Sequence, residues 1–167
     1  ILAFINPHGF LDNPTFRGMR WNLLKTFDTI YTIDLHGNAK EKETCPDGSK
    51  DENVFDIMQG VSINIFVKTG RPSKKQFAQV FHYDLYGTRA EKYEFLNNHS
   101  LDSVEWNQLE PKAPMYFMVQ KDFAAEEEYK EGFSVEELFL NHKTGIVTMG
   151  DGFIVANNPN ELQKRLD

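Results

Sequence analysis

Apolar runs and apolar periodicity divide the first part of the chain into strands and one helix. Residues 1–5 (ILAFI) are continuously apolar, which predicts a buried strand. Asn13-Pro14 predicts a helix start, because asparagine is a good N-cap and proline suits the first helical position. Apolar residues then recur at helical spacing, so we expect a helix over residues 14–26. Two further strands are predicted at residues 29–35 (TIYTIDL) and 61–68 (VSINIFVK).

Shorter elements are predicted further along the chain. Thr88 and Glu91 form a capping box, which predicts a helix that ends near residue 97. A second capping box covers residues 134–137, and Asn158-Pro159 predicts the start of a last helix. Predicted strands lie at residues 79–84, 116–119, 145–148 and 153–156.

The order strand, helix, strand, loop, strand is typical of α/β sheets. The last two of these strands could instead be antiparallel, because the loop between them, which includes polar residues 39–53, is not helical. The pattern fits one end of a sheet better than a complete doubly wound sheet, which needs more repeats. We therefore predict an α/β fold: a partial Rossmann-like sheet in residues 1–70, followed by a smaller α+β segment in residues 71–167.

Charge is unevenly distributed along the chain. Its 167 residues carry a formal net charge of −7. Residues 1–84 hold ten basic and ten acidic side chains, whereas residues 85–167 hold eight basic and fifteen acidic ones. A segment that binds DNA by itself is normally basic, because neutralising phosphates supplies most of the affinity. Composition therefore argues against DNA binding by this chain alone.

One stretch, residues 68–75, is locally basic and contains no acidic residue. It is interpreted either as a solvated linker or as a DNA-contacting segment. Its basic residues are Lys68, Arg71, Lys74 and Lys75.

Cysteine and histidine usage narrows the possible chemistry. One cysteine, Cys45, cannot form an internal disulfide or a thiolate metal site, which favours a reducing cytoplasm. The five histidines show no i, i+4 pair and no zinc-ligand spacing, so we expect no metal site. No apolar run approaches the roughly 20 residues of a membrane span, and no signal peptide is visible.

The segment after the first strand imitates a catalytic loop. Amino-methyltransferases place Asn-Pro-Pro-Tyr or Asn-Pro-Pro-Phe after a buried strand, where the final aromatic residue stacks on the flipped base. Here Asn6-Pro7 matches, but His8 and Gly9 replace the second proline and the aromatic residue. Asn-Pro is also a common turn dipeptide, so Asn6 is either a catalytic residue or part of an ordinary turn.

Three other patterns bear on the chemistry of the chain. Residues 34–38 (DLHGN) follow a strand, where α/β sheets place their sites, but they also suit a plain turn. Asp47, Glu128 and Lys130 match the Pro-Asp…Glu-x-Lys pattern of some metal-dependent nucleases, but the two parts lie about eighty residues apart. The glutamate also lies in an acidic run that is typical of a solvated surface. No glycine-rich turn follows a strand, so the chain lacks a loop for a nucleotide-like cofactor.

Several long stretches together resemble a known family. ILAFI, FLDNPTFRGMR, LLKTFDTIYTIDLHGN and SKDENVFDIMQGVSINIFVK are similar to the second half of the N6-adenine DNA methyltransferase domain in large bacterial restriction–modification proteins of type ISP and type IIG. YDLYGTRAEKYEFL and FLNHKTGIVTMGDGFIVANNPNELQKRL resemble segments that follow that domain.

The resemblance carries expectations about function. It implies a fragment of an S-adenosylmethionine-dependent DNA methyltransferase whose cofactor loop and Asn-Pro-Pro-Tyr motif lie upstream, so the chain alone should be inactive. Phe55 and Asn6 would line the pocket for a flipped adenine, although the position of Phe55 between a polar loop and a strand suits a core anchor equally well. Residues 71–167 would lead into the target-recognition region. Double-stranded DNA and the rest of the same polypeptide would be the partners, in a bacterial cytoplasm. The alternative is a non-catalytic acidic α/β module that binds another protein.

Overall fold

The computed structural model describes residues 1–70, 76–133, 135–139 and 158–166. It divides into two compact units, Ile1–Lys121 and Asp122–Asp167. The predicted strands at 145–148 and 153–156, and Ser134 of the second capping box, lie outside the described residues. No helix in the described ranges is long and apolar enough to cross a membrane.

A five-stranded mixed sheet forms the centre of the first unit. Its strands are β1 (Leu2–Pro7), β2 (Thr29–Asp34), β3 (Val61–Val67), β4 (Gln79–Asp84) and β5 (Asn107–Leu109), in the order β1-β3-β2-β4-β5. β3 is antiparallel to both β1 and β2, while β2 and β4 are parallel. Consequently β1, β2 and β4 end at the same edge of the sheet. The α/β class is confirmed, as is the antiparallel alternative for the second and third strands.

Helices in the first unit begin where the capping residues predicted. Asn13 Oδ1 accepts a hydrogen bond from Thr15 N at 2.9 Å, and a 3-10 turn (Pro14–Phe16) leads into α1 (Arg17–Thr26). Thr88 and Glu91 form the predicted capping box at the start of α2 (Arg89–Asn98). A further 3-10 turn, His8–Leu11, follows β1. The second unit contains α3 (Glu126–Lys130), α4 (Val135–Leu138) and α5 (Pro159–Leu166).

Apolar residues on the two faces of the sheet form two cores, as a period of two requires. On one face, Ile30, Val80 and Phe66 pack with Leu24 of α1. On the other face, Ile33 and Val61 pack with residues that include Phe95 and Leu96 of α2. Each face is therefore covered by helix.

Three expectations need correction. Residues 1–5 are a strand but are mostly exposed, because only β3 pairs with β1 among the described residues. Residues 116–119 are not a strand; Met118 instead lies in the core with its N–H donated to Leu11 O at 2.9 Å. The sheet does not end near residue 70, because β4 pairs with β2 and the compact unit runs to Lys121. The functional division at residue 70 stays a prediction.

Candidate functional site

A polar cavity lies where β1, β2 and β4 end. Its volume is about 900 Å³, and it is lined by residues from the ends of all three strands and from the loops that follow them. His8 comes directly after β1, Asp34 is the last residue of β2, and Asp84 is the last residue of β4. Asp34 and Asp84 are register partners in the parallel pair, which brings their side chains to the same face.

The first contact within the cavity joins the ends of β1 and β2. His8 Nδ1 lies 2.9 Å from Asp34 Oδ1, and Asp34 Oδ1 also accepts the backbone N–H of His36 at 2.9 Å. Burial lowers the pKa of His8, but the hydrogen bond to Asp34 and the charge of that carboxylate raise it above its usual value overall. Asp34 is almost completely buried, so hydrogen bonds such as these offset the cost of removing its carboxyl group from water.

His36 connects two more carboxylates. Its Nδ1 lies 2.7 Å from Glu43 Oε1 and its Nε2 lies 2.9 Å from Asp84 Oδ1. The ring of Tyr86 stacks on the imidazole at a centroid distance of 3.8 Å. Burial opposes the charged imidazolium, but the hydrogen bonds to Asp84 and Glu43 raise the pKa of His36 to about 9. His36 is therefore a buried cation at neutral pH.

The same charges alter the neighbouring acids. Burial alone would raise the pKa of Asp84, yet hydrogen bonds from His36 and His82 hold it far below the usual range. Burial also raises the pKa of Glu43, but hydrogen bonds from His36 and from the backbone N–H of Asn38 lower it below the usual value overall. Burial and the nearby carboxylates raise the pKa of Tyr86 to about 12. The cavity thus holds ionised carboxylates and a neutral phenol.

A buried ion pair fixes the turn that carries His36. Asp51 accepts the backbone N–H of Gly37 at 2.5 Å and that of Gly87 at 2.9 Å. Lys92 Nζ lies 2.7 Å from Asp51 Oδ1. Gly37 has φ +75°, and a Cβ there would lie 2.4 Å from Asn53 Cα, so only glycine fits. The position of His36 is therefore fixed by the loop at residues 50–53 and by α2.

Asn6 lies at the margin of this cavity, near the end of β1. Its side-chain oxygen accepts a hydrogen bond from Asn64 Nδ2 at 2.7 Å. That oxygen is the atom which an amino-methyltransferase would aim at the target amine, and here it is already hydrogen-bonded. Its role in a base pocket stays a prediction.

Phe55 lines a different, shallower pocket of about 550 Å³ beside Asn53, Met58 and Arg89. Its ring is 41% exposed. Its backbone N–H donates to Asn53 Oδ1 at 2.8 Å, and its carbonyl accepts from Arg89 Nη2 at 3.1 Å. The structure therefore holds the backbone of Phe55 in place but does not bring Phe55 and Asn6 into one cavity.

Of the basic stretch, the structure describes only Lys68; its exposed side chain lies 4.0 Å from the carboxylate of Asp28. Arg71, Lys74 and Lys75 lie outside the described residues. Asp47, from the scattered nuclease pattern, accepts both the N–H and the hydroxyl of Ser49 in an exposed turn. These contacts are those of an ordinary turn residue.

Sequence reasoning singled out residues 34–38 but missed the cluster around them. The sequence marks His8 only as a substitute for proline, and it gives no local sign that Glu43 or Asp84 belongs to the cluster. The available signal was positional, since polar residues that end neighbouring parallel strands meet at one sheet edge. It becomes usable only when the strand order is known.

Three solved structures of DNA complexes, two of them of Type ISP restriction-modification enzymes, are similar to this chain. An ATP-dependent Type ISP restriction-modification enzyme, LlaBIII, bound to DNA, is 28% identical with a TM-score of 0.62 over 75% of this chain. A DrdV–DNA complex is 24% identical with a TM-score of 0.64 over 98% of the chain. A nuclease-deletion mutant of the Type ISP restriction-modification enzyme LlaGI, in complex with a DNA substrate mimic, is 23% identical with a TM-score of 0.60 over 75%.

The chain resembles a segment of restriction–modification enzymes. It spans 8%, 17% and 12% of the LlaBIII, DrdV and LlaGI chains, respectively. No protein-family model matches it, and neither does any curated protein sequence. The likeness to the restriction–modification enzymes therefore rests on solved structures, with the LlaBIII match adding sequence identity to shared fold.

Proposed function

We propose that this chain is part of a site-specific DNA adenine-N6 methyltransferase within a restriction–modification protein. The observation that carries the proposal is the match to DNA-bound LlaBIII, which combines 28% identity with a shared fold over 75% of the chain. The quoted sequence stretches that resemble N6-adenine methyltransferase domains support the same assignment. Residues 1–70 would belong to the catalytic domain, and residues 71–167 would lead toward target recognition.

The methyl donor in this proposal is S-adenosylmethionine, bound elsewhere in the same polypeptide. The chain offers no glycine-rich turn after a strand, which is the element that would cradle such a cofactor. It also lacks an Asn-Pro-Pro-aromatic motif, since Asn6-Pro7 is followed by His8 and Gly9, and neither Asn13-Pro14 nor Asn158-Pro159 is followed by a second proline. We therefore expect the isolated chain to transfer no methyl group.

The proposed contribution of the chain is to hold the flipped adenine. A flipped base is read by hydrogen bonds and by stacking on aromatic side chains. Phe55 suits stacking because its ring is partly exposed while its backbone is fixed by Asn53 and Arg89. Asn6 lies at the separate cavity that follows β1, and its contact with a flipped base is the part of the proposal that the geometry supports least.

In this proposal, the DNA phosphates bind to the basic stretch and not in the cavity at the ends of β1, β2 and β4. The cavity lining carries five carboxylates against Lys40, Lys121 and the His36 cation, so it has no excess of positive charge to attract a DNA phosphate. The basic stretch that begins at Lys68 supplies the charge that phosphates require. The chain thus combines a basic segment for the backbone with an exposed aromatic residue for the base.

Replacing Phe55 with alanine in the full-length protein tests the stacking role. Stacking of a base on an aromatic side chain contributes about 1–3 kcal/mol, so kcat/KM for DNA methylation should fall roughly tenfold to a hundredfold. The measurement is transfer of labelled methyl groups to DNA, with thermal unfolding recorded on the same protein. Because the ring is not part of either core, the unfolding temperature should hardly change.

Trp21→Ala is the matched control, because Trp21 is 40% exposed and lies on α1. It should leave methylation at the wild-type level. Equal activity of Phe55→Ala and the wild-type protein would remove Phe55 from the base pocket.

A further inference from the structure

Three possible metal ligands lie close together at the cavity, and a fourth contacts one of them. The three belong to His8, Asp34 and His36, and the fourth to Glu43. His8 Nδ1 is 2.9 Å from Asp34 Oδ1, His36 Nδ1 is 3.9 Å from the same oxygen, and Glu43 Oε1 is 2.7 Å from His36 Nδ1. The ligand atoms of His8, Asp34 and His36 all lie within 4.8 Å of one another. Ligands at about 2.1 Å from one ion are roughly 3–4 Å apart, so small side-chain rotations would bring these atoms around a common centre.

Each histidine also has a polar partner on the side away from the cluster. His36 Nε2 lies 2.9 Å from Asp84 Oδ1, which would orient the ring and leave Nδ1 to face an ion. His8 Nε2 lies 3.4 Å from the side-chain amide of Asn38. Histidines that bind metals almost always donate their other N–H to a carboxylate, a carbonyl or water. His36 has this arrangement, whereas His8 reaches it only if the Asn38 amide turns to place Oδ1, in place of Nδ2, opposite Nε2.

The amide of Asn38 is compatible with His8 as a ligand. Asn38 is 9% exposed and lines the cavity, and among the described residues its Oδ1 has no hydrogen-bond partner. A buried amide oxygen without a partner is costly. Rotation of the amide about its last bond presents Oδ1 to His8 Nε2–H. That rotation removes the cost when His8 keeps its proton on Nε2 and uses Nδ1 as a ligand.

Charge favours a cation at this place. Asp34, Glu43 and Asp84 bring three carboxylates to the cluster, and Asp34 is nearly fully buried. Lys40 and Lys121 also line the cavity, but Lys121 pairs with Asp12 at 3.0 Å. A mixture of imidazole nitrogens and carboxylate oxygens suits divalent transition ions such as Zn²⁺, Co²⁺ and Mn²⁺ better than Mg²⁺ or Ca²⁺.

We propose that His8, Asp34 and His36, with Glu43 as a fourth ligand, bind one divalent transition-metal ion. Asp84 and Asn38 are positioning residues that orient the two histidines. The ion replaces the proton that His36 Nδ1 shares with Glu43. It links the 3-10 turn after β1 to the loop after β2, and it neutralises buried carboxylates at the sheet edge. This inference does not depend on methyl transfer.

The test is titration of the 167-residue chain, freed of metal and of any affinity tag, with Zn²⁺ and with Co²⁺. Calorimetry measures Zn²⁺ binding, and visible absorption detects Co²⁺ held by protein ligands. We expect one ion per chain and a higher unfolding temperature with Zn²⁺ present. His8→Ala and Asp34→Asn should each weaken binding at least about tenfold, and Asn38→Ala by about tenfold or more.

His99→Ala is the matched control, because His99 is exposed and stacks on Phe95 of α2, away from the cluster. It should bind Zn²⁺ as the wild-type chain does. Circular dichroism confirms that each variant is folded, and the Co²⁺ spectrum of the wild-type chain needs no variant at all. The proposal is overturned if the wild-type chain binds neither ion more tightly than about 1 mM. Unchanged affinity in folded His8→Ala would overturn it as well.

Discussion

Replacing Lys92 with methionine is expected to lower the free energy of unfolding by about 3–5 kcal/mol, because it removes one partner of a buried ion pair. Lys92 and Asp51 are both inaccessible to solvent, with Nζ 2.7 Å from Asp51 Oδ1. Nζ also donates to Leu35 O and Glu52 O at 2.7 Å each. Methionine fills a similar volume but leaves the Asp51 carboxylate without its cation. Urea unfolding of the 167-residue chain measures the loss.

Lys50→Met controls for the loss of a lysine from the same region. Lys50 pairs with Glu52 at 2.7 Å, but its side chain is 79% exposed, so water screens the pair. We expect its midpoint of unfolding to stay close to that of the wild-type chain. Equal effects of the two substitutions would mean that the Lys92–Asp51 pair does not fix the loop that carries His36.

Replacing Arg20 with methionine is expected to lower the free energy of unfolding by about 3 kcal/mol or more, because it leaves buried carbonyl groups without hydrogen-bond donors. Arg20 lies on α1 with its side chain fully buried. Its guanidinium donates to Phe10 O and Asn13 O at 2.8 Å each, and to Met115 O at 2.9 and 2.7 Å. One side chain thus joins α1, the 3-10 turn after β1 and a segment 95 residues away.

Arg17→Met is the control for this substitution, because Arg17 starts the same helix but is exposed and donates only to Pro14 O at 3.3 Å. Its effect on the urea midpoint should be small. If Arg20→Met also left the midpoint unchanged, water would have to replace all of the lost donors, and the segment around Met115 would not depend on Arg20.

Local patterns were sufficient to predict the main elements of the first unit. β2, β3 and β4 have β-branched and aromatic residues at suitable positions, Asn13 caps the 3-10 turn that leads into α1, and Thr88 caps α2. β5 was missed because its sequence, Asn-Gln-Leu, has little strand character; only its pairing with β4 makes it a strand. The prediction that β1 is buried was wrong, because the burial of a strand depends on which elements pack beside it.

The candidate site was less predictable, since its contacts join residues far apart in the chain. Asp34 and Asp84 meet because β2 and β4 are parallel and in register, with β3 placed on the other side of β2. Nothing within residues 34–38 indicates that Glu43 and Asp84 will bind the two nitrogens of His36. Long-range pairing of this kind depends on topology, which periodicity along one chain does not encode.

The acidic character of the chain agrees with a protein in which other parts of the polypeptide bind most of the DNA. A net charge of −7 makes autonomous binding to DNA unfavourable. In the proposed protein, other parts of the polypeptide would supply most phosphate contacts. Phe55 and the basic stretch from Lys68 would then act only within that larger assembly.

The central claim is that the full-length protein containing this chain methylates adenine at N6 in DNA. The most direct measurement incubates that protein with unmethylated DNA and S-adenosylmethionine, digests the DNA to nucleosides and identifies the product by mass spectrometry. We predict N6-methyladenine with the full-length protein and no methylated nucleoside with the 167-residue chain alone. A full-length protein that forms no methylated base, or that methylates only cytosine, would contradict the claim.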